Sequence, residues 1–228
     1  MSMIDLDGAS GYLVKAQRQR AGVLLLPTIG GINNFARDYA EGLAAAGLTT
    51  LVWDPYGGEA LPKSHEEALS RAGTLRDGPS LDAMSICVDH LMGELRIDAV
   101  GTLGFCLGGR YCLMLAAREA RIAACSAVYP SIHVPKFANQ DEDAIQRAGE
   151  VACPVQLIYP LRDRVTTNET FFRLQESLQR RSASTAVHLY PEADHGFMHS
   201  TGPANEAADR LARPLIRGFL EATLAPAK

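Results

Sequence analysis

Short apolar runs recur along the chain, and most are followed by a segment whose apolar residues return every three or four positions. The runs are AGVLLLPT (21–28), LTTLVWDPY (48–56), DAVGTLGF (98–105), IAACSAVYP, CPVQLIYP and TAVHLYP. Between them, NNFARDYAEGLAAAG places Phe35, Tyr39, Leu43 and Ala46 on one helical stripe, with Asn33 or Asn34 available to cap its start and Gly47 its end. SLDAMSICVDHLMGEL (80–95) reads as a longer helix capped by Ser80. GGRYCLMLAARE, NETFFRLQESLQR and the segment from Asn205 to Thr223 read as three more. Apolar strands alternating with amphipathic helices predict a mostly parallel sheet covered by helices on both faces. The polar stretch Gly57–Gly78 breaks the alternation and is expected to be a mobile excursion over one end of the sheet.

One domain covering 1–228 is expected, because 228 residues with 47% hydrophobic side chains can bury a single large core. The formal charge of −4 comes with no basic stripe, which argues against nucleic acid and membrane surfaces as partners. MSMIDLDGASG lacks the basic start and apolar stretch of a signal, and no segment approaches the roughly 20 apolar residues of a bilayer span, so a cytoplasmic protein is expected. Cys87, Cys106, Cys112, Cys125 and Cys153 are odd in number and sit in apolar runs, which suits reduced thiols; no spacing suggests a metal or a cofactor.

In a parallel sheet, ligands sit beyond the carboxyl ends of the strands, so polar residues just after strands are the candidates for function. Cys106 follows AVGTLGF inside Gly104-Phe105-Cys106-Leu107-Gly108-Gly109, a G-x-C-x-G-G pattern with the form of a nucleophile elbow. A tight strand-to-helix turn there exposes Sγ at a helix N-terminus, where backbone N–H groups favour a thiolate. Asp163 follows VQLIYPLR and His195 follows VHLYPEAD, which supplies an acid and a proton carrier in the chain order nucleophile, acid, histidine. Asp194 is a rival acid. Trp53, Tyr56 and Tyr129 also lie at strand ends, where they either line a pocket or pack; His65, His90, His133 and His188 are given no role.

GFCLGG, the aspartate of YPLRDRV, the histidine of YPEADHGF and the early LLLPTIGGINNFARDYAEGLAAAGLTTLVWDPYGG together resemble the dienelactone hydrolase family of α/β-hydrolases, over nearly the whole chain. The resemblance implies an α/β-hydrolase fold and a Cys106–His195–Asp163 triad, with the backbone N–H groups of Ile29 and Leu107 as an oxyanion hole. It implies hydrolysis of small esters or lactones through a thioester; no cofactor is expected, and the protein is expected to be a monomer or homodimer. Two positions depart from the family pattern. Thr28 stands where a glutamate that helps ionise the thiol is expected, and His199 stands where a carboxylate-binding arginine is expected. Thr28 and His199 are therefore expected to contact substrate, with Arg71 or Arg76 supplying a cation if the excursion folds over the site. A neutral substrate is expected to be preferred over a carboxylate-bearing lactone. A nucleotide-binding oxidoreductase is disfavoured because the glycines lack G-x-G-x-x-G spacing. A catalytically silent relative that binds a ligand is the alternative.

Overall fold

The computed structural model describes residues 1–19 and 21–225. Its centre is an eight-stranded sheet. The strands are β1 (Ser2–Leu6), β2 (Ala9–Val14), β3 (Ala21–Leu26), β4 (Leu48–Trp53), β5 (Val100–Phe105), β6 (Ile122–Val128), β7 (Val155–Pro160) and β8 (Thr185–Tyr190). The spatial order is β1-β2-β4-β3-β5-β6-β7-β8, and β3 through β8 pair in parallel. Strands β3, β4, β5 and β7 are buried along their whole length, which accounts for their unbroken apolar character.

Two strands lie outside the runs that the sequence analysis picks out. β1 and β2 form a hairpin across Asp7-Gly8, with Leu6 opposite Ala9 and Gly8 at φ +92°, and β2 joins the sheet antiparallel to β4. An Asp-Gly pair between alternating residues is a strong hairpin signal, and here the glycine takes the positive-φ position at no steric cost.

The helices α1 (Asn34–Ala45) and α7 (Pro203–Thr223) cover one face, where Ala36, Tyr39, Leu43, Ala208, Ile216 and Leu220 join one core cluster. The opposite face carries α3 (Asp77–Asp89), α4 (Leu107–Arg118), α5 (Ala144–Ala148) and α6 (Asn168–Gln179), packed through Leu81, Met84, Leu113, Leu115, Phe171 and Leu174. Asn33 caps α1 by accepting from the Ala36 N–H at 3.1 Å. Ser80, expected to open the second long helix, lies inside it. α3 begins at Asp77 and runs on through a π-helical turn at His90–Glu94.

The stretch Gly57–Gly78, expected as a polar excursion, carries regular structure of its own. It contains α2 (His65–Ala72), capped where the Ser64 hydroxyl accepts from the Glu67 N–H, and the start of α3. Asn139 donates to the Ala72 and Leu75 carbonyls and so ties the end of α2 to the segment after β6. A buried ion pair adds a second tie. Arg110, in the first turn of α4, makes two hydrogen bonds of 2.7 and 2.9 Å to Asp77, which also accepts from the Glu142 N–H. The bidentate geometry and the extra N–H donor satisfy the Asp77 carboxylate. Burial would raise its pKa, but the Arg110 and Glu142 hydrogen bonds hold it below the ordinary aspartate value.

Candidate active site

Cys106 is the hinge between β5 and α4, with φ +55° and ψ −114°, a conformation that L-residues seldom adopt. The surrounding glycines make the turn possible by letting backbones touch. A Cβ on Gly104 would come within 2.1 Å of the Gly108 carbonyl oxygen, and one on Gly108 within 2.0 Å of the Leu26 carbonyl oxygen. No flexible side chain could yield at either place, so the elbow tolerates only glycine there. The turn leaves Cys106 half-buried at the N-terminus of α4, with no side-chain cap on that helix.

Asp163 follows β7 with its side chain fully buried. One carboxylate oxygen accepts from the Val165 and Thr166 N–H groups at 2.7 and 2.9 Å, and the other lies 2.8 Å from His195 Nδ1. Those two N–H bonds fix the carboxylate, which in turn fixes the imidazole. Asp194 turns away, with its Oδ2 facing the Asn205 amide and its own N–H donating to Asn205. Below the His195 ring lies Tyr129, at 5.3 Å between centroids and edge-on.

Nε2 of His195 is buried with no hydrogen-bond partner among the described residues, and Cys106 lies beside it without closing a bond. Burial alone would lower the pKa of this imidazole. The hydrogen bond to Asp163 and the proximity of Cys106 and its charge outweigh that and push it up to about 10. His199 behaves in the opposite way. It lies at the open mouth of the site with its ring 5.1 Å from Phe35, and desolvation together with His195 holds it below the ordinary histidine value.

Cys106 and His195 open on a cavity of about 480 Å³ whose wall includes Thr28, Ile29 and His199. The Ile29 N–H has no hydrogen-bond partner among the described residues, and Leu107 is the first residue of α4, so its N–H is one of those a helix leaves unpaired. Of the charged side chains expected from the second arm of the site, neither arginine lines the cavity. The Arg71 guanidinium bonds to the Ala60 carbonyl and to Glu67, with Glu59 at 3.4 Å, and lies over the Tyr56 ring. Arg76 precedes α3 and donates to the Ala138 carbonyl, and it is not among the residues of the cavity wall.

The aromatic candidates divide similarly. Trp53 is 3% exposed and packs edge-on against Tyr111, while Tyr129 is fully buried, so both are packing residues rather than cavity wall. Tyr56 stands one layer behind the wall, with its hydroxyl donating to the Ile29 carbonyl at 2.6 Å. Asn33, Lys63 and His65 also line the cavity, and sequence reasoning missed all three as site residues. The signal for the last two was Ser64-His65-Glu66-Glu67, a serine three residues before a glutamate, which marks a helix start and so brings its flanking residues to a fixed place. No group of three or more potential metal ligands occurs among the described residues, and none of their helices is long and apolar enough to cross a membrane.

Comparison with known proteins agrees with this architecture. The model of the dienelactone hydrolase family matches residues 9–224. Carboxymethylenebutenolidase 2 of Cupriavidus pinatubonensis is 28% identical over 225 residues, covering 93% of this chain and 88% of its own. A Bradyrhizobium protein named "Probable 2-oxo-3-(5-oxofuran-2-ylidene)propanoate lactonase" is 28% identical over 180 residues, 77% of this chain and 72% of its own. The solved structure of m3DLH superposes with a TM-score of 0.81 at 20% identity, covering 97% of each chain, which is a likeness of fold.

Proposed function

The chain belongs to the dienelactone hydrolase family, and from that premise we propose that it hydrolyses small carboxylic esters or lactones with Cys106 as nucleophile, His195 as proton carrier and Asp163 as the group that orients it. The observation that carries the reading is the constellation itself: a cysteine on a left-handed elbow beside a histidine whose far nitrogen is held 2.8 Å from a buried carboxylate. Relatives named carboxymethylenebutenolidase and lactonase support lactones as the substrate class.

The chemistry follows from the environment of His195. With its pKa pushed up to about 10, His195 is the imidazolium, and the form of Cys106 that reacts is the thiolate, the nucleophilic state of a cysteine. Sγ attacks the substrate carbonyl, and the negative charge on oxygen is met by the Ile29 and Leu107 N–H groups. The C–O bond breaks as His195 Nε2–H gives its proton to the leaving oxygen; in a lactone that oxygen stays tethered to the acyl group. Thioester formation removes the charge on the Cys106 sulfur and its proximity effect on the imidazole, both of which raise the imidazole pKa, so burial is then opposed by Asp163 alone. His195 thereby becomes a base when a base is needed. It takes a proton from water, hydroxide adds to the thioester carbonyl, and C–S cleavage returns the thiolate and releases the carboxylic acid.

Among the described residues, the cavity wall includes the cation Lys63 and no carboxylate side chain apart from the triad's own partner behind His195. Lys63 thus supplies a positive group from α2's leading edge that the expected preference for neutral substrates did not include. Steady-state assay of a carboxylate-bearing dienelactone beside its methyl ester, together with Cys106→Ala, tests the reading. Hydrolysis of either lactone that vanishes in Cys106→Ala supports it, and hydrolysis that persists in Cys106→Ala refutes it.

A further inference from the structure

We infer that Tyr56 is a positioning residue for the oxyanion hole: its hydroxyl anchors one of the two peptides flanking Ile29 and thereby aims the Ile29 N–H into the cavity. The inference rests on the proposed hydrolytic reading and adds a residue to it.

Ile29 sits in a tight turn between β3 and α1. The direction of its N–H is set by the peptide joining Thr28 to Ile29, because the N–H and C=O of one planar peptide point opposite ways. On that peptide the Thr28 carbonyl accepts from the Gly31 N–H at 3.0 Å. The next peptide, from Ile29 to Gly30, is held at both ends. The Tyr56 hydroxyl donates to the Ile29 carbonyl at 2.6 Å, and the Gly30 N–H donates to the Thr28 hydroxyl at 3.2 Å. With both flanking peptides anchored, neither φ nor ψ of Ile29 is free to turn. The Ile29 N–H itself has no partner among the described residues, and Ile29 lines the cavity wall.

Tyr56 is itself fixed in place. Its N–H donates to Asp54 Oδ1 at 2.9 Å, and the Gly58 N–H donates to Asp54 Oδ2 at 2.7 Å, so one carboxylate spans the loop that carries the ring. The ring lies against Gly31, where a Cβ would come within 3.2 Å of Tyr56 Cδ2 and where φ is +65°. Desolvation pushes the phenol up to about 12, which keeps the hydroxyl a donor throughout the working pH range. The chain of contacts therefore runs from Asp54 through Tyr56 to the Ile29 turn. Thr28, at the position where the family resemblance leads one to expect a glutamate, accepts the Gly30 N–H in the same turn.

Preorganised donors lower the barrier because they need no reorientation as charge appears on oxygen, and deleting one outright costs about 10²–10³ in kcat. Tyr56→Phe keeps the ring against Gly31 and deletes only the anchor, so the donor is loosened rather than lost. The variant is expected to lower kcat about tenfold on a p-nitrophenyl ester, with KM within about twofold and an unmoved pH profile, since the Cys106, His195 and Asp163 contacts are untouched. Affinity for an aryl trifluoromethyl ketone, which forms a tetrahedral adduct with its oxygen in the hole, is expected to fall by about the same tenfold. An unchanged kcat and inhibitor affinity, or a rise in KM alone, would overturn the inference. Retained activity in Cys106→Ala would instead strike the hydrolytic reading beneath it, so the two failures are told apart.

Discussion

Cys106 and Cys112 stand within two turns of each other at the start of the same helix, yet their surroundings are opposite in kind. Cys106 opens on the cavity from a left-handed backbone, beside an imidazole pushed up to about 10. Cys112 is fully buried, with Sγ 3.5 Å from the Ser126 carbonyl. Its neighbour Cys125 has a thiol held well above the ordinary value by the hydrogen bond to Cys112 and by burial, and burial pushes Cys87 and Cys153 up to about 12. A thiol becomes a nucleophile through its place in the fold: a helix N-terminus, a proton carrier and an opening, all absent at Cys112.

The comparison is most easily broken by substitution. Cys106→Ala is expected to abolish ester hydrolysis, by at least about 10³-fold, while Cys112→Ala keeps activity within about twofold and costs about 1 kcal/mol of stability for the small cavity it leaves. Equal loss of activity in both variants would mean that packing has been mistaken for chemistry. A similar contrast holds between the two acids. Asp163→Asn should lower kcat by about 10²–10⁴, because an amide favours the wrong imidazole tautomer, whereas Asp194→Asn, whose carboxylate faces Asn205, should leave it within about twofold. The reverse order would move the orienting acid to Asp194.

Much of this is legible in the sequence because it depends on local chemistry. The elbow needs glycines where backbones meet, and Gly104 and Gly108 mark that turn in the sequence itself. β3, β4, β5 and β7 are readable because strands buried along their whole length are largely apolar. What stays hidden depends on which distant groups meet. Arg71 and Arg76 read equally well as substrate clamps, and only the fold shows Glu59, Glu67 and the Ala60 and Ala138 carbonyls taking up their guanidinium groups. Trp53 and Tyr129 end strands as expected, but their rings turn into the core. The hairpin at Asp7-Gly8 and the Ser64 cap each carry a local signal that is easily passed over beside the longer apolar runs, and the second of these conceals Lys63 and His65.

A smaller effect sharpens the comparison through pH. The imidazole of His195 is raised above its unfolded value of about 6.5, so its protonation stabilises the fold fully below that pH, and the contribution is lost as pH rises toward 10. Cys106→Ala removes two raising causes and leaves burial opposed by Asp163 alone. NMR titration of the His195 ring should therefore show a lower pKa in that variant, with the loss of stability starting at lower pH. An unshifted titration would mean that Cys106 carries no charge beside His195. Cys112→Ala should not move the titration at all.

The most direct test of Cys106 as the nucleophile uses the arginine that separates it from Cys112. Trypsin cuts after Arg110, so LGFCLGGR and YCLMLAAR fall on different peptides. Acid-quenching the enzyme during turnover of a p-nitrophenyl ester and mapping the digest should place the acyl group on the peptide that carries Cys106, and none on the peptide that carries Cys112. An acyl group on any other residue, or steady turnover with no acylated peptide at all, would contradict the account.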